Sequence, residues 1–380
     1  VLGVPVGMSL GVASEELKSN YSRVKDLCEA LGETQLLFPA LWGLWLNAMM
    51  RGQMRRSCGL ADQVLALGKR QNDTGRQIEA HHAQWTSRFL IGEPAAALEH
   101  CSHCDALYRA DEHHDLTYTY GGHDPGVCAG NVGSAVLWLL GHPRDSRKRL
   151  RSNTTLAREL NHSTTLVDHL VMTMYIASFD ADLAAVGAVA AEVMELSVSE
   201  KLQDYATLAK AAQGWILAEQ GETEVGLALI RESTPVLLDQ GDPWKPSFMG
   251  LFASVLGRKA SGEEGLELLE ASLAHFKANQ VHWWDGELHR IKGELLLARG
   301  TRDADDGEAC LLQALEIARK QEAKSLELRA AASLAGLWRE RGKESEARDL
   351  LHPIVAWFPD DLASTDLTAS KRLLAELADG

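Results

Sequence analysis

An all-α solenoid, one array of stacked helical hairpins, is the fold this sequence predicts, and three observations predict it. Apolar residues recur at spacings of three and four along almost the whole chain, and no stretch sustains the alternation of period two that a half-buried strand needs. Short breaks separate consecutive amphipathic segments at MMRGQM, FLIGEP, WLLGHP, SFDADL, AEQGET, RKASGEE, LARGTRD and RERGKES. The turn residues of these breaks, Gly52, Gly92, Gly141, Asp180, Gly221, Ala260, Gly300 and Gly342, recur about every 40 residues, a period that marks helical-hairpin arrays. In such an array each hairpin buries its apolar face against its neighbours alone.

Taken in order, residues 1–380 read as a single solenoid domain. Residues 1–35 supply an incomplete first hairpin, 36–359 about eight hairpins, and 360–380 a helix that caps the stack. The opening VLGVPVGMSL lacks an initiator Met, a basic leader and a small-residue cleavage site, so no secretory signal is expected and the chain reads as a fragment of something longer. Between Gly92 and Gly141 the spacing exceeds the period by about nine residues. Added loop costs the repeat packing little, and in a regular array it is where function is acquired. This connection contains YGGHDPGVC, residues 120–128. Asp124 before Pro125 predicts a helix start, since the carboxylate caps free amides and proline at the first helical position loses no hydrogen bond. Cys101 and Cys104, in EHCSHC, fall at buried positions of the helix that follows Gly92, where free cysteine packs as a small apolar side chain. Zinc would need two ligands more than this pair supplies. Trp283-Trp284 opens a helix and is expected to staple it onto the preceding hairpin.

The last unit, ASLAGLWRERGKESEARDLLHPIVAWFP, resembles the tetratricopeptide repeat (TPR). Leu334 and Ala335 stand at its Leu-Gly positions, Trp338 at its first-helix aromatic and Gly342 at its turn. Ala347 stands at its small second-helix position, Leu351 at the next apolar one and Pro359 at its closing proline. Gly214, Leu217, Gly226 and Ile230, then Gly293, Leu296, Leu311 and Ala314, repeat parts of the pattern. The resemblance implies a right-handed superhelical α-solenoid of TPR-like hairpins. Four stretches, QLLFPALWGLWLNAMMRGQM, YGGHDPGVCAG followed by ALWLLGHP, WDGELHRIKGELLLARG and EIARKQEAKSLELRAAASLAGLWRERGK, look like the C-terminal repeat region of a bacterial multidomain family. In that family a class III adenylate/guanylate cyclase domain and an AAA-type ATPase module precede the repeats. The implied role is regulatory or sensory, in cytoplasmic signal transduction, and not enzymatic. No phosphate loop is present: the string ending Gly68-Lys69 continues with Arg70 and has Gln63 where the first glycine belongs.

Charge and composition narrow the partners. A net charge of −15 repels a phosphate backbone, so nucleic acid is not expected, and the one dense basic run, PRDSRKRLRS, reads as a solvated outer helix face or a contact for an acidic partner. No apolar run approaches the eighteen or so residues a membrane span requires. Six cysteines spread through helical segments suggest a reducing, cytoplasmic compartment.

In TPR arrays the first helix of each unit lines a concave groove. Carried onto this register, the groove-binding residues are Trp42, Leu46, Met49, His82, Thr86, Phe89, Asn131, Trp138, Met174 and Trp215 in an aromatic first half, with Arg290 and Glu294 in a charged second half. Glu79, Cys128, Glu287 and Arg329 share that register. Tyr118, Tyr120, His123 and Asp124 belong to a lid formed by residues 111–124. The expected function is non-catalytic recognition of a peptide, a partner protein or another domain of a parent signalling protein, with no cofactor, no metal and no catalytic residue. One alternative is a small-molecule sensor whose apolar N-terminal groove lies under the 111–124 loop. A second is a metal-dependent enzyme using His113, His114 and His123 with Cys128 and Asp124, although no two of the histidines have the i, i+4 spacing of helical ligands.

Overall fold

The computed structural model describes residues 12–32, 35–239, 243–300 and 303–379; part of the expected first hairpin falls outside them. Among the described residues there is no strand. A first helix, α1 (Glu15–Leu31), precedes eight helix pairs. The first four pairs are α2 (Leu37–Met50) with α3 (Met54–Gln71), α4 (Thr74–Leu90) with α5 (Pro94–Leu107), α6 (Pro125–Leu139) with α7 (Pro143–Glu159), and α8 (Ser163–Phe179) with α9 (Leu183–Ser199). The next four are α10 (Gln203–Gln220) with α11 (Thr223–Asp239), α12 (Pro246–Lys259) with α13 (Gly262–Asn279), α14 (Asp285–Ala298) with α15 (Ala304–Lys320), and α16 (Lys324–Glu340) with α17 (Glu344–Trp357). A final helix, α18 (Thr365–Asp379), packs on α16 and α17. The fold is the all-α solenoid that the periodicity predicts, built of the TPR-like hairpins that the resemblance implies.

The hairpins close for reasons visible in the sequence. Gly52, Gly92, Gly141, Gly221, Gly300 and Gly342 all take positive φ, and in the turn at Asp180 the following Ala181 takes it instead, with φ 55°. Left-handed backbone ends a helix sharply, and glycine adopts it without steric cost. Within a pair, small residues let the helices touch. A Cβ built on Gly214 would stand 2.7 Å from the Gly226 carbonyl oxygen, and one on Gly226 would stand 2.5 Å from the Ala218 amide nitrogen. Because both obstacles are backbone, Gly226→Ala should force α10 and α11 apart and lower stability by about 1–3 kcal/mol, read as a shift of the urea midpoint. An unchanged midpoint would show that the hairpin can open without penalty.

Contacts are not confined to neighbouring hairpins. The array curves far enough that the turn tips of the first three units seat against the sixth to eighth. Gly52 lies against Asn279, Gly92 against Gln321, and Gly141 against Lys324 and Trp357. His282 donates its amide to the Leu90 carbonyl at 2.7 Å, Gln321 Nε2 donates to the His282 carbonyl at 2.8 Å, and Ser325 Oγ donates to the Trp138 carbonyl at 2.5 Å. Trp283 and Trp284 therefore do more than staple their helix to the hairpin before it. Trp283 Nε1 does bond the Pro243 carbonyl at 3.2 Å, but the two rings pack on Phe89, Trp138 and Phe179 from the other end of the chain, at centroid distances of 4.8, 6.1 and 4.5 Å respectively. Two adjacent aromatics at a helix start present more apolar surface than one neighbour can cover, and the returning superhelix covers the rest.

The basic run also pairs within the chain: Arg144 with Asp361 at 2.8 Å, Arg147 with Asp180 at 2.9 Å and Arg149 with Asp105 at 2.6 Å. All six cysteines are free thiols, and Cys101 and Cys104 are fully buried, Cys104 Sγ lying 3.9 Å from the Pro125 carbonyl. Burial pushes the Cys101 thiol up to about 12, so it behaves as packing. No helix among the described residues is long and apolar enough to cross a membrane.

Candidate functional site

Five successive first helices converge on one cavity of about 380 Å³. Helix α2 contributes Trp42, Trp45, Leu46 and Met49, spaced i, i+3, i+4 and i+7 and so aligned on one face. His82 and Thr86 come from α4, and Cys128, Asn131 and Val132 from α6. Asp168, Val171, Met172 and Tyr175 come from α8, and Asp204, Tyr205 and Leu208 from α10. Gly121 and His123 of the long connection reach the same space, and Trp244 and Lys245, just before α12, complete it. The wall is apolar over most of its extent, with a few polar groups among the lining side chains.

Of the residues that the repeat register assigns to a groove, Trp42, Leu46, Met49, His82, Thr86, Cys128 and Asn131 stand around this cavity. The others are elsewhere. Phe89 is wedged between Trp244 and Trp283, at centroid distances of 5.2 and 4.8 Å, and Trp138 lies against Phe179 and Trp284 under the Arg329 guanidinium. Met174 and Trp215 are buried in the core. The charged second half is paired with itself. Arg290 donates to both Glu287 carboxylate oxygens at 2.9 Å and also pairs with Glu294, while Arg329 bonds Glu287 at 3.1 Å and Asp366 at 2.7 Å. These groups neutralise one another where the superhelix closes. Register alone places a residue on the inner face, but curvature decides whether ligand or protein fills the space in front of it.

The long connection folds into two one-turn helices, Ala110–His113 and Leu116–Thr119. Asp124 caps α6 as its sequence context predicts, accepting from the Val127 amide at 2.9 Å. Fully buried, it also accepts from the Tyr108 hydroxyl at 2.7 Å and lies 2.9 Å from His114 Nδ1. Tyr120 is buried against Trp42 and Phe38, whereas Tyr118 is 60% exposed and packs its edge on His114 and His162. Of the four lid residues only His123 reaches the cavity. His113 and His114 are likewise held by local partners: His113 Nδ1 accepts from the Arg109 amide at 2.9 Å, and His114 is on Asp124. The loop histidines therefore do not assemble a site among themselves.

What the structure does bring together is His82, His123 and Cys128. The candidate ligand atoms of the three, two ring nitrogens and Sγ, all lie within 4.8 Å of one another. His82 Nε2 is 3.4 Å from Cys128 Sγ, and its Nδ1 is 3.1 Å from a Glu79 carboxyl oxygen. His123 Nδ1 is 3.5 Å from Asp168, whose other oxygen accepts from the Tyr205 hydroxyl. Burial pushes Glu79 up to about 8 and His82 down to about 3, and it raises the Cys128 thiol and lowers His123, so as it stands the group is held largely uncharged. Beneath it, Asn131 Oδ1 accepts from Asn153 Nδ2 at 2.8 Å and lies 2.8 Å from His169 Nδ1, a satisfied network that fixes the cavity floor. Asn153, His169 and Asp168 have no signal in the sequence, because they fall outside the inner-face register and their polar partners on other helices are met only when the helices pack.

No family model matches the chain. It is 24% identical over 332 residues to an uncharacterized protein of Rhizobium meliloti (strain 1021), covering 87% of this chain and 32% of that one. The chain thus spans about a third of the length of this curated relative. Among solved structures, yeast Tom70 aligns with a TM-score of 0.38 at 10% identity, over 98% of this chain and 95% of that one. The c5321 protective antigen of uropathogenic Escherichia coli, described as an SLR fold, aligns with a TM-score of 0.25 at 13% identity, over 100% of this chain and 95% of that one.

Proposed function

We propose that this chain is a small-molecule-binding regulatory module of a cytoplasmic bacterial signalling protein, non-catalytic in itself. The observation that carries the reading is the cavity of about 380 Å³, whose size and mixed lining match sites for small metabolites. It is built from the first helices of five consecutive units, so an occupant touches each of them and biases the angles between them. That strain would pass along the superhelix to whatever domains the array contacts. The resemblance to repeat regions that follow cyclase and ATPase modules supports such an output. An extended peptide is less well supported, because Phe89, Trp138, Trp283 and Trp284 fill the inner face farther along.

Trp42, Trp45 and Trp244 line the cavity, so fluorescence titration with a metabolite library should identify a ligand. Val171→Phe, which grows a side chain into the space, should then weaken it at least tenfold while leaving the circular dichroism spectrum unchanged. A ligand that binds the variant as tightly, or a chain that responds only to peptides, would overturn the proposal.

A further inference from the structure

We propose that His82, His123 and Cys128 form a transition-metal site on the wall of the cavity, with Zn²⁺ the ion best suited to it. Two imidazoles and one thiolate are a borderline-soft donor set of the kind zinc takes, and three protein ligands leave the fourth tetrahedral position open. Their donor atoms already lie within 4.8 Å of one another, and the His82 to Cys128 separation of 3.4 Å is close to the spacing of two ligands on one tetrahedral ion.

An independent feature is the set of groups behind the ligands. Each histidine has a carboxyl group on its Nδ1 side, Glu79 for His82 at 3.1 Å and Asp168 for His123 at 3.5 Å. Metal-binding histidines characteristically hold a carboxylate on the ring nitrogen opposite the metal, which fixes the ring and its tautomer. With Nδ1 so engaged, His82 presents Nε2 towards Cys128. A core histidine paired for packing alone needs one such partner; two histidines from different segments, each with a carboxyl group on Nδ1 and each with a ring nitrogen within 4.8 Å of one thiol, are what coordination requires. On binding, the thiol proton is released to solvent and the thiolate ligates the ion. The open position faces the cavity, since all three residues line it.

The site shares the cavity with the proposed small-molecule ligand but does not depend on it, and the two can be tested apart. Chelator-treated full-length chain titrated with Co²⁺ should bind one equivalent and develop a thiolate-to-cobalt charge-transfer band together with tetrahedral visible bands, both removed by Zn²⁺. Cys128→Ser should abolish the charge-transfer band, and His123→Gln, on the loop and away from the helix core, should weaken binding at least tenfold. The double variant C101A/C104A should retain the full signal. Absence of the band in the native chain, or its loss in C101A/C104A but not in Cys128→Ser, would overturn the assignment. Metabolite binding that persists in the chelated protein would leave the small-molecule reading intact whatever the cobalt result.

Discussion

Trp138→Ala is expected to lower stability by about 3–5 kcal/mol, the range for a large aromatic removed from a packed core. Trp138 is 2% exposed, and three separate elements meet on it. Its ring is 4.9 Å from Phe179 and 6.1 Å from Trp284, the Arg329 guanidinium stands 4.8 Å above it, and Nε1 donates to Asp180 at 3.0 Å. Two of these partners come from units far along the chain, so the variant should loosen superhelical closure as well as its own hairpin. A raised radius of gyration in small-angle scattering should accompany the lower urea midpoint. Trp338→Ala provides the contrast: that ring is only partly buried in the last complete hairpin, and its loss should leave the scattering unchanged. Equal effects of the two variants on the scattering would mean that closure is not organised around Trp138.

Glu287→Ala should be comparably severe, at about 3–5 kcal/mol, because it removes one partner of a buried charge network and leaves Arg290 and Arg329 facing each other. Burial by itself would raise the Glu287 carboxyl, but the Arg290 and Arg329 guanidiniums outweigh it and hold the group at about 2. A carboxyl depressed in the folded state contributes stability that is complete above its ordinary value of 4.5 and is lost as pH falls from there through about 2. Denaturation midpoints measured between pH 6 and pH 2 should therefore fall more steeply in the native chain than in Glu287→Gln, which cannot titrate. Parallel curves would remove Glu287 from the account of acid sensitivity.

The hairpin array was legible in the sequence because its causes are local. Periodicity of three and four, a turn glycine about every 40 residues and an Asp-Pro helix start act over a few residues and are little affected by distant structure. The inner-face register placed Trp42, Leu46, Met49, His82, Thr86 and Asn131 for the same reason: side-chain direction on a helix is set by the helix. Yet that register gave Phe89 and Trp138 the same standing as Trp42, and the loop histidines seemed to belong together because they are close in the chain.

Tertiary structure separated them. Curvature accumulates from many small angles between hairpins, none of which a single sequence specifies, and it brings Trp283 and Trp284 onto Phe89, Phe179 and Trp138 while leaving the space beside Trp42 open. Packing of neighbouring hairpins sets His123 of the loop beside His82 of α4 and Cys128 of α6. By itself the sequence determined that these are helices, where they turn and which side chains face inward. Only the closed superhelix decided which inward faces pack on protein and which surround a cavity, because that depends on contacts between residues more than a hundred positions apart.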